Sequence, residues 1–462
     1  MKQFKKYINE ILGLKFIYEN LEIQSSAGRK FLLNQEFIND KNLLLHEIKN
    51  LQSTISFIEN LDNKKIHEIQ NLLSQINDIQ ITISNLKNNN VLDDIEFFEI
   101  KKFSIISNQI FEILTQNKYN TLIINNLNSA VKLLDPENTK IISFYIYSKY
   151  NSELESLRKK INSLGTTEND EIVSLKLKSV AIEDEIRQKL SLELQSFTIQ
   201  IQENINQLAY FDLLLAKAVF TIKNHFTLPL INEKTTKIIR MWNPLIDNIL
   251  EEKNKKFQKI DLEFANEPVL ITGANMSGKT VILKTVSLIQ LLFQFGFSIP
   301  AEQAYLQLFD EIFINIGDSQ SEINGLSSFA IEILNINEII KTVRNKYKVF
   351  ALIDELARTT NPNEGKAIVK SFIEIMKKFH VSSLITTHYN IEYENIKKLR
   401  VKGLMIDNQK DVCLENINDY MDYSLIKADK NDVPNDALKI AEILQIDREF
   451  IEKAEFFLGN ES

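Results

Sequence analysis

Cysteine is almost absent from this 462-residue chain, where Cys413 stands alone. One thiol excludes an internal disulfide framework and any cysteine-based zinc site, and it suits a reducing compartment, so a cytoplasmic location is expected. Long hydrophobic runs are missing too. The most apolar stretch, Val281 to Phe297, is interrupted by Lys284, Gln290 and Gln294, which makes it too short and too polar to span a bilayer, and no membrane partner is expected. Positive charge is not in excess: 54 Lys and Arg face 62 Asp and Glu, for a net charge of −8. That balance leans against a strong non-specific grip on a phosphate backbone, although a local basic stripe can sit inside an acidic total.

Proline and glycine are scarce and unevenly placed. Only Pro136 precedes residue 229, while eight of the eleven glycines lie beyond it. Turn-rich α/β structure is therefore expected from about residue 229, after an all-α half over 1–228. In that first half apolar residues recur at helical spacing, as in Leu43, Leu44, Ile48, Leu51, Ile55 and Ile58. Near 150–208 the pattern predicts an antiparallel helical hairpin. Leu154, Leu157, Ile161 and Leu164 form one stripe, Gly165-Thr-Thr breaks it, and Ile182, Ile186, Leu190, Leu194, Phe197, Ile201, Ile205 and Leu208 return. For this seam alone, a simple coiled arm and a functional lever are both open.

The second half is organised around Val269-Leu-Ile-Thr followed by Gly273-Ala274-Asn275-Met276-Ser277-Gly278-Lys279-Thr280 and a helical pattern from Val281. Strand, glycine loop, helix is the context in which backbone N–H groups and a helix N-terminus converge on polyphosphate. Lys279 would reach the β and γ phosphates, and Thr280 would place its hydroxyl on Mg²⁺. About 75 residues on, Val349-Phe-Ala-Leu-Ile ends in Asp354-Glu355. Such a strand is expected beside the loop strand of a parallel sheet, with Asp354 in the Mg²⁺ shell and Glu355 orienting or deprotonating the attacking water. Leu384-Ile-Thr-Thr-His388 is a further strand, ending at a histidine placed to sense the γ phosphate.

At these residues the chain resembles the ATPase domain of the MutS family of DNA mismatch repair proteins, a branch of the ABC-type P-loop ATPases. Thr272-Gly-Ala-Asn-Met-Ser-Gly-Lys-Thr280 is similar to that family's T-G-P-N-M-G-G-K-S. Gly325-Leu-Ser327-Ser328-Phe329 resembles its S-T-F signature, which implies that Ser327 and Ser328 reach the γ phosphate of a dimer partner. Asp354 to Gly365 resembles D-E-x-x-x-G-T-x-x-x-x-G, with Ala357 and Thr359 at positions often held by glycine, and Thr386-Thr-His388-Tyr389 resembles A-T-H-Y. By the same resemblance Phe257 would stack on adenine, and the closing residues would supply dimerisation helices to an ATPase domain over 229–462.

The departures shape the functional expectation. No Phe-x-Glu wedge domain precedes the helices, and the hairpin turns over at 165–171, too short for the family's DNA clamp. The expectation is a short form without either domain: a homodimeric, Mg²⁺-dependent ATPase that moves helical arms. Its work would be DNA binding in mismatch repair or recombination. The alternative is an ATP-driven remodeller of a partner protein, such as a reactivase of a cobalamin-dependent aminomutase.

Overall fold

The fold is that of a computed structural model, which describes residues 2–139, 141–164, 170–274, 277–316, 328–358, 360–389, 391, 393, 396–405, 417–428, 438, 441 and 446–460. They form two compact units: one of 1–20, 36–48 and 224–462, the other of 21–35 and 49–223.

The helices in chain order are α1 (Phe4–Tyr7), α2 (Leu14–Asn20), α3 (Ser26–Asn34), α4 (Lys41–Glu59), α5 (Asn63–Ser74), α6 (Gln80–Lys87), α7 (Asp94–Gln116) and α8 (Asn128–Leu134). Then come α9 (Ser152–Ser163), α10 (Asp170–Leu194), α11 (Thr198–Lys223), α12 (Pro244–Glu251), α13 (Lys279–Gln294), α14 (Ser328–Arg344) and α15 (Pro362–Lys378), with a last helix at Arg448–Asn460.

In the helical unit, α9 and α10 lie antiparallel, joined by Lys160–Glu171 and Arg158–Glu183 ion pairs. The turn expected at Gly165 lies outside the described residues. Most of the returning apolar stripe is buried, with Leu194 and Ile201 fully enclosed, while Ile182 and Phe197 are half-buried. Residues 170–223 hold the one stretch among the described residues long and apolar enough to cross a membrane, at mean hydropathy 1.3. That window is 72% buried inside the protein, as expected of a core helix. Asp212 of α11 caps the start of α3, accepting from the amides of Gln24 and Ser25 and from the Ser25 hydroxyl. Burial pushes its carboxyl up, and those bonds draw it back.

The other unit holds two sheets. A six-stranded sheet runs β10-β9-β4-β8-β7-β6, from β4 (Pro268–Thr272), β6 (Glu311–Asn315), β7 (Val349–Ile353), β8 (Ser382–Thr386), β9 (Lys397–Leu404) and β10 (Met421–Lys427). All its pairs are parallel except β9 with β10. A smaller sheet runs β1-β5-β2-β3, from β1 (Leu230–Ile231), β2 (Thr235–Met241), β3 (Ile260–Ala265) and β5 (Gln303–Leu306). One expectation needs correcting. The acid-bearing β7 does not lie beside the loop strand β4, because β8 is hydrogen-bonded between them.

The central strands are buried almost throughout because both faces are covered; β4 and β7 read as apolar runs, whereas β8 also buries Ser382, Ser383 and Thr386. Along β7 the side chains alternate. Val349, Ala351 and Ile353 join the cluster under α14 and α15, whereas Phe350 stacks between Phe264 and Phe309 at 5.1 and 5.0 Å.

A single division at 228/229 does not describe this unit, since residues 1–20 and 36–48 group with the α/β half. Fully buried Phe4 meets Phe295 edge-on at 5.2 Å and stacks with Phe297 at 5.7 Å, and Phe37 meets Phe295 at 5.9 Å. Gln290 and Gln294, the polar interruptions in α13, are buried and bonded. Gln294 donates to the carbonyls of Ile38 and Phe309, and its own carbonyl accepts from Ile38 N–H. Phe4→Ala should lower unfolding stability by about 3–5 kcal/mol, read as a shift in the urea midpoint. A change under 1 kcal/mol would mean that the N-terminal segment is not part of this core.

Candidate nucleotide site

The glycine loop joins β4 to α13, and its backbone explains its glycines. Gly278 is left-handed at φ +84°, and a Cβ there would lie 2.9 Å from the Tyr423 ring. Gly273 has φ +154°, and its Cβ would meet Ser277 Oγ at 2.7 Å. Ser277 Oγ is itself buried without a hydrogen-bond partner, so the loop carries an unsatisfied polar atom at its turn. Lys279 opens α13 and is folded back, its ammonium donating to the carbonyls of Gly273 and Ala274 at 2.8 and 2.9 Å. Burial holds its pKa below the ordinary lysine value, opposed by the charges of Glu355 and Asp354. Asn275 and Met276 lie outside the described residues.

Asp354, at the end of β7, is the meeting point. Its Oδ2 accepts from Thr280 Oγ1 at 2.7 Å and its Oδ1 from Thr386 Oγ1 at 2.6 Å. Thr386 Oγ1 in turn accepts from the amide of Glu355 at 2.8 Å. One threonine thus bridges β8 to both acids. Glu355 Oε2 takes a bond from Arg358 at 2.8 Å and stands 3.3 Å from His388 Nε2. Thr280, Asp354, Glu355 and His388 therefore converge at the carboxyl edge of the sheet.

Hydroxyl and carboxylate oxygens are hard donors of the kind Mg²⁺ takes when phosphates and waters complete its shell. Among the described residues no group of three His, Cys, Asp or Glu could hold a metal alone. The donor pair Thr280 and Asp354 fits an ion shared with a polyphosphate.

The remaining expected residues are placed less directly. Ser327 lies outside the described residues, and Ser328 is the first residue of α14. Phe257 is half-buried ahead of β3, its amide donating to Asp247 at 3.4 Å. Its neighbour Gln258 connects it to the loop. Gln258 accepts from the Tyr423 amide at 2.9 Å and donates to Asp422 at 2.7 Å, and the Tyr423 ring faces Gly278.

Sequence reasoning missed Thr386 as a hub, Tyr423 against the loop, and Glu332, which accepts from Ala357 N–H at 2.7 Å. Only the threonine had a visible signal, as the residue two before His388. Tyr423 and Glu332 act through distant chain segments that no local pattern pairs.

A mostly parallel sheet whose loop strand opens into a lysine-bearing glycine turn, with two acids at the end of the next strand but one, defines a P-loop nucleotide-binding α/β domain. Residues 269–459 match the family model of MutS domain V. Similar curated proteins include endonuclease MutS2 of Leuconostoc mesenteroides, 32% identical over 223 residues, which are 48% of this chain and 27% of that protein. That of Borreliella burgdorferi is 29% identical over 388 residues, 83% of this chain and 45% of the relative. The protein of the same name from Caldanaerobacter subterraneus is 31% identical over 301 residues, 64% and 36% of the two chains. The chain spans less than half the length of these relatives.

Two outcomes are expected from this geometry. Thr386→Val keeps the side-chain volume but leaves the Glu355 amide without its acceptor, so stability should fall by about 1–3 kcal/mol on urea unfolding; an unchanged midpoint would mean the bridge is not formed. Asp422, although pushed up by burial, is held well below the ordinary carboxylate range by bonds from Lys402, Ser424 and Gln258. A depressed carboxyl contributes stability above its unfolded pKa and loses it as pH falls. The stability deficit of Asp422→Asn should therefore be largest near neutrality and shrink below about pH 4, in denaturation curves taken across that range.

Proposed function

We propose that the protein is a Mg²⁺-dependent, ATP-hydrolysing MutS-family protein that couples nucleotide turnover to DNA-linked repair or recombination. The convergence of Thr280, Asp354, Glu355 and His388 carries this reading. Loop amides and Lys279 would bind the phosphates, with Lys279 exchanging its loop carbonyls for phosphate oxygens. Thr280 and Asp354 would hold Mg²⁺, which supplies charge neutralisation on the phosphates.

Glu355 would orient the attacking water and take its proton as the water oxygen bonds to the γ phosphorus and the bond to the β–γ bridging oxygen breaks, releasing ADP. His388, beside Glu355, would contact the departing phosphoryl oxygens. Phe257 would stack on adenine. In a homodimer, Ser327 and Ser328 of one copy would complete the site of the other, and closure would move the helical arms.

The name shared by the relatives, endonuclease MutS2, supports the nucleic-acid assignment over the protein-remodelling alternative. Purified protein should hydrolyse ATP only with Mg²⁺, and Glu355→Gln should cut kcat by about 10²–10⁴-fold while ATP binding persists. Labelled duplex, branched and single-stranded DNA titrated at two salt concentrations should bind in a salt- and ATP-dependent way. Turnover without any DNA binding at low salt would overturn the DNA assignment and leave the ATPase.

A further inference from the structure

The segment after the two acids is bent in a way its residues do not favour. Glu355 has φ +53° and Ala357 φ +61°, both left-handed without being glycine. A side chain in that region costs about 1 kcal/mol or more per residue, and such backbone persists only where neighbours over-determine it.

Ala357 is held from both sides. Its N–H donates to Glu332 Oε1 of α14 at 2.7 Å, and its carbonyl accepts from Tyr389 Oη, just beyond β8, at 2.8 Å. Tyr389 is in turn seated against Gly365, where a Cβ would come within 2.5 Å of its hydroxyl. The methyl group of Ala357 is fully buried. Glu332 is a carboxylate spent on a backbone amide inside a partly buried site, with its pKa raised by that burial.

The two bonds join three pieces of the site through one peptide. Glu332 lies one turn into α14, four residues after Ser328. Ala357 lies two residues after Glu355. A displacement of α14 therefore pulls on the Ala357 amide, and through a short strained segment it alters the direction of the Glu355 side chain.

We propose that Glu332 is a positioning residue for hydrolysis, the tie by which the position of α14 sets the aim of Glu355. This inference rests on the ATPase reading and adds a residue that positions its carboxylate.

The test uses the full chain and four proteins: wild type, Glu332→Ala, Glu332→Gln and the double variant Glu332→Ala with Ala357→Gly. Steady-state ATPase gives kcat and KM, a fluorescent ATP analogue gives binding, and thermal melting confirms folding. Glu332→Ala should lower kcat about 10–100-fold with analogue affinity held within about threefold. Glu332→Gln keeps an acceptor oxygen for the Ala357 amide and should recover most of the rate. The double variant should also recover part of it, because glycine adopts the left-handed backbone without the tie.

If alanine and glutamine at 332 behave alike, if analogue affinity falls as far as kcat, or if glycine at 357 recovers nothing, the inference is overturned. A wild-type protein without ATPase activity overturns the ATPase reading and this inference together. An active wild type matched by Glu332→Ala overturns the inference alone.

Discussion

Everything at the site depends on one carboxylate with two threonine hydroxyls on it. Asp354 takes Thr280 on one oxygen and Thr386 on the other, and the three side chains belong to the start of α13, the end of β7 and the end of β8. A charge this close to the interior is tolerated because both oxygens are hydrogen-bonded and the Lys279 ammonium lies nearby. The bridge also explains how β7 serves a loop on a strand it does not touch. With β8 inserted between β4 and β7, Thr386 sits in the gap and passes the register from one to the other.

Much of this was legible in the chain itself. The glycine loop, the acids and the histidine are punctuated by apolar runs of strand length, and the buried parallel strands appear as continuous apolar stretches. The helical hairpin was legible from the spacing of its seam. What escaped were partnerships across long sequence separations. Phe4 gives no sign of seeking Phe295, and the two glutamines of α13 look like solvent-facing breaks until Gln290 is seen donating to Gln294 and to the Gln307 carbonyl, and Gln294 to the carbonyls of Ile38 and Phe309. Local periodicity reports which face of an element is apolar, not which distant segment covers it. The placement of β8 escaped for the same reason, because strand order is a global property of a sheet.

The acidic total charge and the site chemistry fit together locally. Many surface cations are already spent: Lys41, Lys255 and Arg240 each hold a carboxylate. Around the glycine loop the balance differs. Lys279 rests on carbonyl oxygens and not on an acid, so its charge remains available to an incoming anion. Net charge describes solubility and long-range attraction, whereas what an anion meets at this loop is set by where one ammonium points.

Alanine at 357 shows how strain and bonding balance. Glycine would reach the left-handed backbone at no steric cost, but it would also widen the unfolded ensemble and leave the segment after Glu355 free to sample other angles. Alanine accepts the cost in the folded state and restricts the alternatives. That exchange favours the fold only because the Glu332 carboxylate and the Tyr389 hydroxyl grip both ends of the same residue. Loss of either grip would let the methyl group drive the backbone toward an ordinary conformation and carry Glu355 with it. The side chain and its two tethers therefore make sense only as a set: a stiff segment, aimed by its neighbours, next to the Glu355 carboxylate.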